Sequence, residues 1–178
     1  MNLEDLKDLV RSIPDFPRPG ILFRDVTTLM SSGRGFAAAV AMLSDKAIEA
    51  GAEAIAGVEA RGFIFGAAVA AKAGIGFIPV RKPGKLPVPV LAIDYALEYG
   101  TDTLEVDPGA IRDGSRIVLI DDLIATGGTA LAAIELIRRA RGVVEQSLFL
   151  VDLPDLGGAS RLRAAGVAVD ALMDFPGH

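Results

Sequence analysis

The sequence has no cysteine and a single histidine, and these absences exclude several kinds of chemistry. Without a thiol there is neither a disulfide nor a cysteine nucleophile, and His178 alone cannot build a Ser-His-Asp triad or a credible zinc site. No uninterrupted apolar run reaches the roughly 18 residues that a membrane span needs. The net charge of −5 argues against nonspecific nucleic-acid binding through a basic surface. We therefore expect neither a membrane nor a nucleic acid as a partner.

The beginning of the sequence also lacks the pattern of a secretion signal. Residues 1–9 form an acidic amphipathic pattern, without a basic segment followed by an apolar one, so we expect a cytoplasmic protein. The 178 residues are 51% apolar and 23% charged, which is enough to bury the core of one globular domain. We interpret residues 1–178 as a single domain.

Helical and strand patterns alternate along the chain. Apolar stripes and small-residue segments predict helices at 3–10, 36–47, 62–72 and from 130 onward, and short apolar runs predict strands at 52–58, 77–80, 117–120 and 143–151. This alternation is typical of an α/β fold with a central parallel sheet flanked by helices on both faces. Ligands of such sheets bind at the carboxyl ends of the strands.

The most informative stretch, residues 116–129, is an apolar strand that ends in two carboxylates and a turn of small residues. Asp121 and Asp122 can accept hydrogen bonds from paired ribose hydroxyls. In the turn Ala125-Thr126-Gly127-Gly128-Thr129, successive N–H groups can point into one concavity at the start of a helix, which suits a phosphate monoester. The stretch contains neither a Walker A loop nor a dinucleotide fingerprint. It predicts a site for a sugar phosphate.

Two further loops carry positive charge where predicted strands end. Arg61 follows the strand at 52–58 and can bind an anion at a helix N-terminus, although a surface ion pair with Glu59 is the alternative. Arg81, Lys82 and Lys85 follow the strand at 77–80, where they could face the same crevice or form a solvated loop that caps the sheet edge.

Residues 116–129 resemble the phosphoribosyl-diphosphate signature of the type I phosphoribosyltransferase family. The segments 14–17, 19–25, 57–63, 81–87 and 97–100 are similar, in order and spacing, to the adenine-specific members of that family. The resemblance covers most of the chain, from about residue 13 to residue 156. It implies a type I phosphoribosyltransferase fold with a small N-terminal hood, about 1–34, and a flexible lid loop, about 81–100.

The resemblance also implies an activity. Adenine and phosphoribosyl diphosphate would give AMP and pyrophosphate in purine salvage, with Mg²⁺ carried on the diphosphate, no metal bound directly by the chain, and a homodimer as the assembly. One departure from the family is visible between residues 88 and 94, which are more apolar and less hydroxylated than in many members.

Roles for single residues follow from the same resemblance. Asp121, Asp122, Ala125, Thr126, Gly127, Gly128 and Thr129 would bind the phosphoribosyl group. Glu59, Ala60, Arg61, Arg81, Lys82 and Lys85 would bind pyrophosphate, and Arg61 would also be catalytic. Glu98 would be the general acid or base at the purine. A surface carboxylate beside Tyr99 is the alternative for Glu98.

Recognition of the base is expected from the hood. Phe23 would stack on adenine, backbone groups of Leu22 and Arg24 would contact its edge, and Leu153 would cover the other face. Phe23 as an ordinary core residue is the alternative. Two other functions also stay open: an enzyme for 6-oxopurines, and a noncatalytic sensor of phosphoribosyl diphosphate.

Overall fold

A computed structural model of the protein describes residues 1–97 and 100–177. Its helices are Leu3–Lys7 (α1), Thr27–Ser31 (α2), Gly33–Glu49 (α3), Arg61–Ala73 (α4), Gly128–Arg139 (α5) and Gly158–Ala164 (α6). Its strands are Arg11–Pro14 (β1), Leu22–Asp25 (β2), Ala54–Val58 (β3), Gly76–Val80 (β4), Leu91–Leu97 (β5), Gly100–Val106 (β6), Arg116–Ile124 (β7), Val143–Asp152 (β8) and Ala168–Asp174 (β9). Within these residues, no helix is both long and apolar enough to cross a membrane.

The centre of the molecule is a five-stranded sheet in the order β4-β3-β7-β8-β9. All of its neighbouring strands run parallel, as predicted. Side chains alternate across β7, so that Ile117 and Leu119 belong to the core on the α5 side, whereas Val118 and Ile120 belong to the core under α3 and α4. The prediction of helices on both faces is confirmed.

The hood has a shorter first helix than the sequence pattern predicts. Helix α1 ends at Lys7, and the buried Val10 follows it in a turn. Leu6 is fully buried, but Leu3 is 46% exposed, so the expected apolar stripe is incomplete. Strands β1 and β2 then pair antiparallel in a separate two-stranded sheet. The predicted helix at 3–10 is therefore wrong for residues 8–10, because Val10 reaches the core from a turn and not from a helix.

Part of the segment expected to be a lid loop is regular structure. Strand β5 pairs antiparallel with β6 to form a ribbon, and Leu91 and Ile93 pack against the core on the α5 side. This packing explains the apolar side chains of Leu91 and Ile93, whereas Val88 is exposed. Residues 91–97 and 100 are therefore strand and not irregular loop, whereas residues 98 and 99 lie outside the described residues.

Candidate active site

The carboxyl end of β7 and the first turn of α5 line a cavity of about 220 Å³. Its lining consists of Arg61 and the continuous segment 121–130. The cavity therefore brings together all seven residues predicted to bind the phosphoribosyl group and one of those predicted to bind pyrophosphate. It lies at the strand ends, where ligands of parallel sheets bind.

Close packing of α4 on the sheet brings Arg61 to this cavity. A Cβ atom added at Gly62 would lie 2.8 Å from Oδ1 of Asp121, and one added at Gly57 would lie 2.7 Å from the carbonyl oxygen of Gly62. Glycine at both positions lets the start of α4 approach β3 and β7 without a clash. The helix consequently begins beside the two carboxylates, preceded by a cis peptide bond between Glu59 and Ala60.

The two carboxylates at the end of β7 have different environments. Asp122 is 4% exposed, and its Oδ2 lies 3.0 Å from Nε of Arg61 in an ion pair but makes no hydrogen bond with the described residues. Oδ1 of Asp121 accepts a hydrogen bond of 2.8 Å from the N–H of Asp122. Burial and the nearby charge of Asp122 raise the pKa of Asp121 well above its usual value, and Arg61 offsets part of this.

Arg61 is paired differently from the alternative considered in the sequence analysis. Its partner is Asp122, whereas Glu59 pairs with Arg81, whose Nε lies 3.3 Å from Glu59 Oε2. The centre of the Arg61 guanidinium also lies 5.7 Å from the centroid of the Phe23 ring. Arg61 therefore connects the buried carboxylate of Asp122 to the aromatic ring of the hood.

The basic residues after β4 lie outside the cavity lining, and two of them, Arg81 and Lys82, are held by carboxylates. The N–H of Lys82 donates a hydrogen bond of 3.0 Å to Glu59, and this bond, followed by that from Arg81, lowers the pKa of Glu59. The Lys82 ammonium pairs with Asp102 and lies 3.4 Å from the Tyr95 hydroxyl. Lys85 is exposed. In this conformation, Arg61 alone of the predicted pyrophosphate residues lines the described cavity.

The residues predicted to recognise the base have separate surroundings. Phe23 and Leu22 are half-buried, and the Phe23 ring meets Phe16 edge to face, with 5.2 Å between centroids. Phe23 is therefore not an ordinary core residue. Leu153 is 7% exposed, and its N–H donates to the carbonyl of Ile124 at 3.0 Å, which places it beside the end of β7.

The side chain of Arg24 is engaged by Ser12 in β1 and by residues near the end of the chain. Its guanidinium donates to the carbonyl of Pro176 at 2.8 Å, donates to Ser12, and lies 4.7 Å from the Phe175 ring centroid. Only the backbone of Arg24 stays available for the predicted contact. The position of Glu98, the predicted general acid or base, lies outside the described residues.

Helix α6 packs behind the turn at residues 125–129, here named the phosphate turn. The sequence patterns did not indicate this contribution. The N–H of Gly158 donates to the carbonyl of Ala125 at 2.9 Å, and Arg161 donates to the carbonyl of Thr126 at 2.6 Å. A Cβ atom at Gly127 would lie 3.0 Å from the carbonyl oxygen of Gly158. The Gly157-Gly158 pair was the available sequence signal. It marks a backbone contact between segments that are distant in sequence.

The chain is similar to known phosphoribosyltransferases. Residues 27–152 match the family described as the phosphoribosyl transferase domain. The chain is 67% identical over 178 residues to an adenine phosphoribosyltransferase of Novosphingobium aromaticivorans, with 100% of both proteins covered. It is 53% identical over 176 residues to an adenine phosphoribosyltransferase of Erwinia tasmaniensis, with 99% of this chain and 96% of the relative covered.

Solved structures give the same result. The adenine phosphoribosyltransferase of Thermoanaerobacter pseudethanolicus matches with a TM-score of 0.90 and 45% identity, covering 98% of this chain and 100% of that chain. The Saccharomyces cerevisiae enzyme, in complex with an imino-altritol bisphosphate and adenine, matches with a TM-score of 0.90 and 36% identity, covering 96% and 97% of the two chains.

Proposed function

Because the chain belongs to the adenine phosphoribosyltransferases of the type I phosphoribosyltransferase family, we propose that the cavity at the end of β7 binds the phosphoribosyl group of the donor. The enzyme transfers this group from phosphoribosyl diphosphate to adenine, giving AMP and pyrophosphate in purine salvage. The alternatives of a 6-oxopurine enzyme and a noncatalytic sensor are not supported by these relatives.

One observation carries the assignment of the cavity. A single space is lined by the N-terminus of α5, two adjacent carboxylates and one guanidinium. The helix N-terminus suits the 5′-phosphate, Asp121 and Asp122 suit the ribose hydroxyls, and Arg61 suits the diphosphate. These three kinds of group match the three parts of the donor.

Catalysis in this site is positional and electrostatic. Pyrophosphate leaves C1′ of the ribose with oxocarbenium character, and N9 of adenine attacks from the opposite face. The phosphate turn fixes one end of the sugar, so that its binding energy aligns the ring. The carboxylates of Asp121 and Asp122 favour the positive charge that develops on the sugar, and Arg61 stabilises the negative charge that leaves.

We propose that Arg61 changes partners when the donor binds. In the structure, Arg61 is the ion-pair partner of the buried Asp122. Hydroxyl groups of the ribose can take its place at Asp122, which leaves the guanidinium available for the diphosphate. Because Arg61 also contacts the Phe23 ring, this movement changes the surface on which we expect adenine to stack.

We propose that Mg²⁺ enters on the diphosphate. Mg²⁺ is usually held by one or two carboxylates together with substrate phosphates. The buried Asp122 Oδ2, which lacks a hydrogen bond, is an oxygen of the kind that could support such a complex. Bound Mg²⁺ would supply additional neutralisation of the leaving charge.

The remaining roles are extended from the sequence analysis. Glu98 handles the proton at the purine, Phe23 and Leu153 enclose the base, and Leu22 and Arg24 contact its edge through their backbones. Lys82 and Lys85 reach the diphosphate after Lys82 leaves Asp102. We also propose that the enzyme acts as a homodimer, as the family resemblance implies, and that it works in the cytoplasm.

The substitution Asp122→Asn tests the proposed site, and the measurement is a direct assay of AMP formation from adenine. The substitution keeps the shape of the side chain but removes its charge, so the charged transition state should lose more than the ground state. We expect kcat to fall by more than the donor KM rises. Asp45→Asn on α3, which is distant from the cavity lining, is the control.

Equal losses in kcat and affinity would reduce Asp122 to a positioning group, and unchanged kinetics would remove it from the site. Hypoxanthine and guanine serve as competing bases in the same assay. Each presents a carbonyl and an N–H where adenine presents an amino group and an acceptor, and an unpaired polar group costs about 1–3 kcal/mol. We therefore expect adenine to be preferred by about a hundredfold or more.

A further inference from the structure

We infer that Arg161 is a positioning residue for the 5′-phosphate of the donor and acts through the backbone of the phosphate turn. The inference rests on the proposed role of that turn. Arg161 lies on α6, behind the turn, and its guanidinium donates a hydrogen bond of 2.6 Å to the carbonyl oxygen of Thr126.

The orientation of two peptide units follows from the contacts with α6. The carbonyl of Ala125 accepts from the N–H of Gly158 at 2.9 Å, and the carbonyl of Thr126 accepts from Arg161. In a trans peptide unit, the C=O and N–H bonds point in opposite directions. The N–H groups of Thr126 and Gly127 are consequently turned away from α6. Neither of them donates a hydrogen bond within the described part of the chain.

The residues that carry these two N–H groups line the cavity. Thr126 and Gly127 both line it, next to the first residues of α5. Together with the free N–H groups of the first helical turn, they extend the set of donors that face a phosphate. A phosphate dianion bound here needs each of these units with its N–H forward, because a carbonyl oxygen would repel it.

The unit between Thr126 and Gly127 is the one that a side chain holds, through the hydrogen bond from Arg161. The preceding unit is fixed by backbone packing, since a Cβ atom at Gly158 would lie only 2.3 Å from the carbonyl oxygen of Ala125. Gly127, with a φ of +80°, has the wide conformational freedom of glycine. Rotation of its peptide unit is therefore restrained by the hydrogen bond from Arg161, together with packing against Gly158, where an added Cβ atom would lie 2.8 Å from the backbone nitrogen of Gly127.

A pair of substitutions separates the hydrogen bond from the bulk of the side chain. Arg161→Met keeps the long aliphatic stem and removes the donor, whereas Arg161→Lys keeps a charged donor. Arg163→Met is the matched control, because Arg163 lies on the same helix but donates to the carbonyl of Val169 at 3.1 Å, in β9. The measurements are steady-state kinetics and inhibition by ribose 5-phosphate and by pyrophosphate, with the melting temperature of each variant.

We expect Arg161→Met to raise the donor KM and the inhibition constant of ribose 5-phosphate together, by about five- to tenfold. The adenine KM and the inhibition constant of pyrophosphate should stay within about twofold of their original values, because neither ligand carries a 5′-phosphate. Arg161→Lys should recover most of the loss, and Arg163→Met should leave these constants unchanged.

An unchanged donor KM in folded Arg161→Met would overturn the inference. Equal weakening of ribose 5-phosphate and pyrophosphate would also overturn it, because that result indicates general loosening or a long-range charge effect. Ribose 5-phosphate that fails to compete with the donor in the unsubstituted enzyme would instead contradict the proposed role of the turn. The two failures are therefore distinguishable.

Discussion

At the scale of single residues, Arg61 is the group on which the site depends most. It pairs with the buried Asp122 and lies near the ring of Phe23. A guanidinium has several donors in a fixed plane, so it can exchange a carboxylate for a diphosphate without leaving the site. In the proposed site, the same side chain consequently connects binding of the ribose, loss of pyrophosphate and placement of the base.

Asp121 gives a prediction about pH. Burial first, and then the charge of Asp122, raise the pKa of Asp121, so the folded protein holds a proton that the unfolded chain releases at lower pH. The resulting contribution to stability is fully present below the unfolded pKa and is lost as the pH rises through the folded pKa. Asp121→Asn removes this titration and keeps an oxygen that can accept from the N–H of Asp122.

We therefore expect Asp121→Asn to melt at a higher temperature than the unsubstituted protein at pH 8, with a difference that shrinks toward pH 4. Thermal unfolding across this range measures it, with Asp45→Asn as the control. A difference that grows as the pH falls would contradict the raised pKa. Activity should decrease, because a ribose hydroxyl loses a charged acceptor.

At the scale of elements, the loop between β4 and β5 is the part expected to move. Burial would lower the pKa of Lys82, but its hydrogen bonds to Asp102 and Tyr95 outweigh burial and raise it. The Lys82–Asp102 ion pair holds Lys82 against the ribbon. In the proposed function, the donor therefore competes with Asp102 for the Lys82 ammonium. Asp102→Asn weakens this competitor and still leaves an acceptor for the Tyr95 hydroxyl.

We expect Asp102→Asn to lower the donor KM several-fold and to speed proteolytic cleavage between residues 82 and 90 in the absence of ligand. Saturation with donor should slow cleavage in both proteins. Asp94→Asn, on β5 of the same ribbon, is the control. An increased donor KM would mean that the Lys82–Asp102 pair is part of the binding conformation itself.

Local sequence patterns predicted the elements that hold the site. They predicted the contacts between those elements less well. The apolar run before Asp121 predicts a strand, and the small residues after it predict a turn and a helix start, because both signals lie in adjacent residues. The packing of Gly158 on Ala125 joins segments more than thirty residues apart. A glycine pair alone does not indicate its partner.

The ribbon shows the same limit. The alternation of Leu91 and Ile93 is a strand signal, but the prolines and glycine that precede it and the expected lid favoured a loop. Its strand character follows from pairing with β6 and packing on the α5 side of the core. Similarly, a Cβ atom added at Gly127 would meet Gly158 and Leu162, a contact that the sequence of the turn alone does not indicate.

At the scale of the whole molecule, the two halves of the core share one sheet. Buried residues on its two faces come from both sides of β7, and the proposed donor site lies at one end of the same strand. Ligand contacts and core contacts are consequently made by the same elements. Loss of β7 from the sheet would remove the core and the site together, so we expect binding and global unfolding to be linked.

This linkage predicts a single thermal transition that the donor shifts as a whole. A ligand present at a hundred times its dissociation constant stabilises the folded state by about 2.7 kcal/mol, which corresponds to roughly 5–11 °C for a domain of this size. Calorimetry with donor and Mg²⁺ measures the shift, with Mg²⁺ alone as the control. Asp122→Asn should reduce the shift because it weakens a donor contact. Two transitions, of which the donor moves only one, would contradict a single domain built around β7.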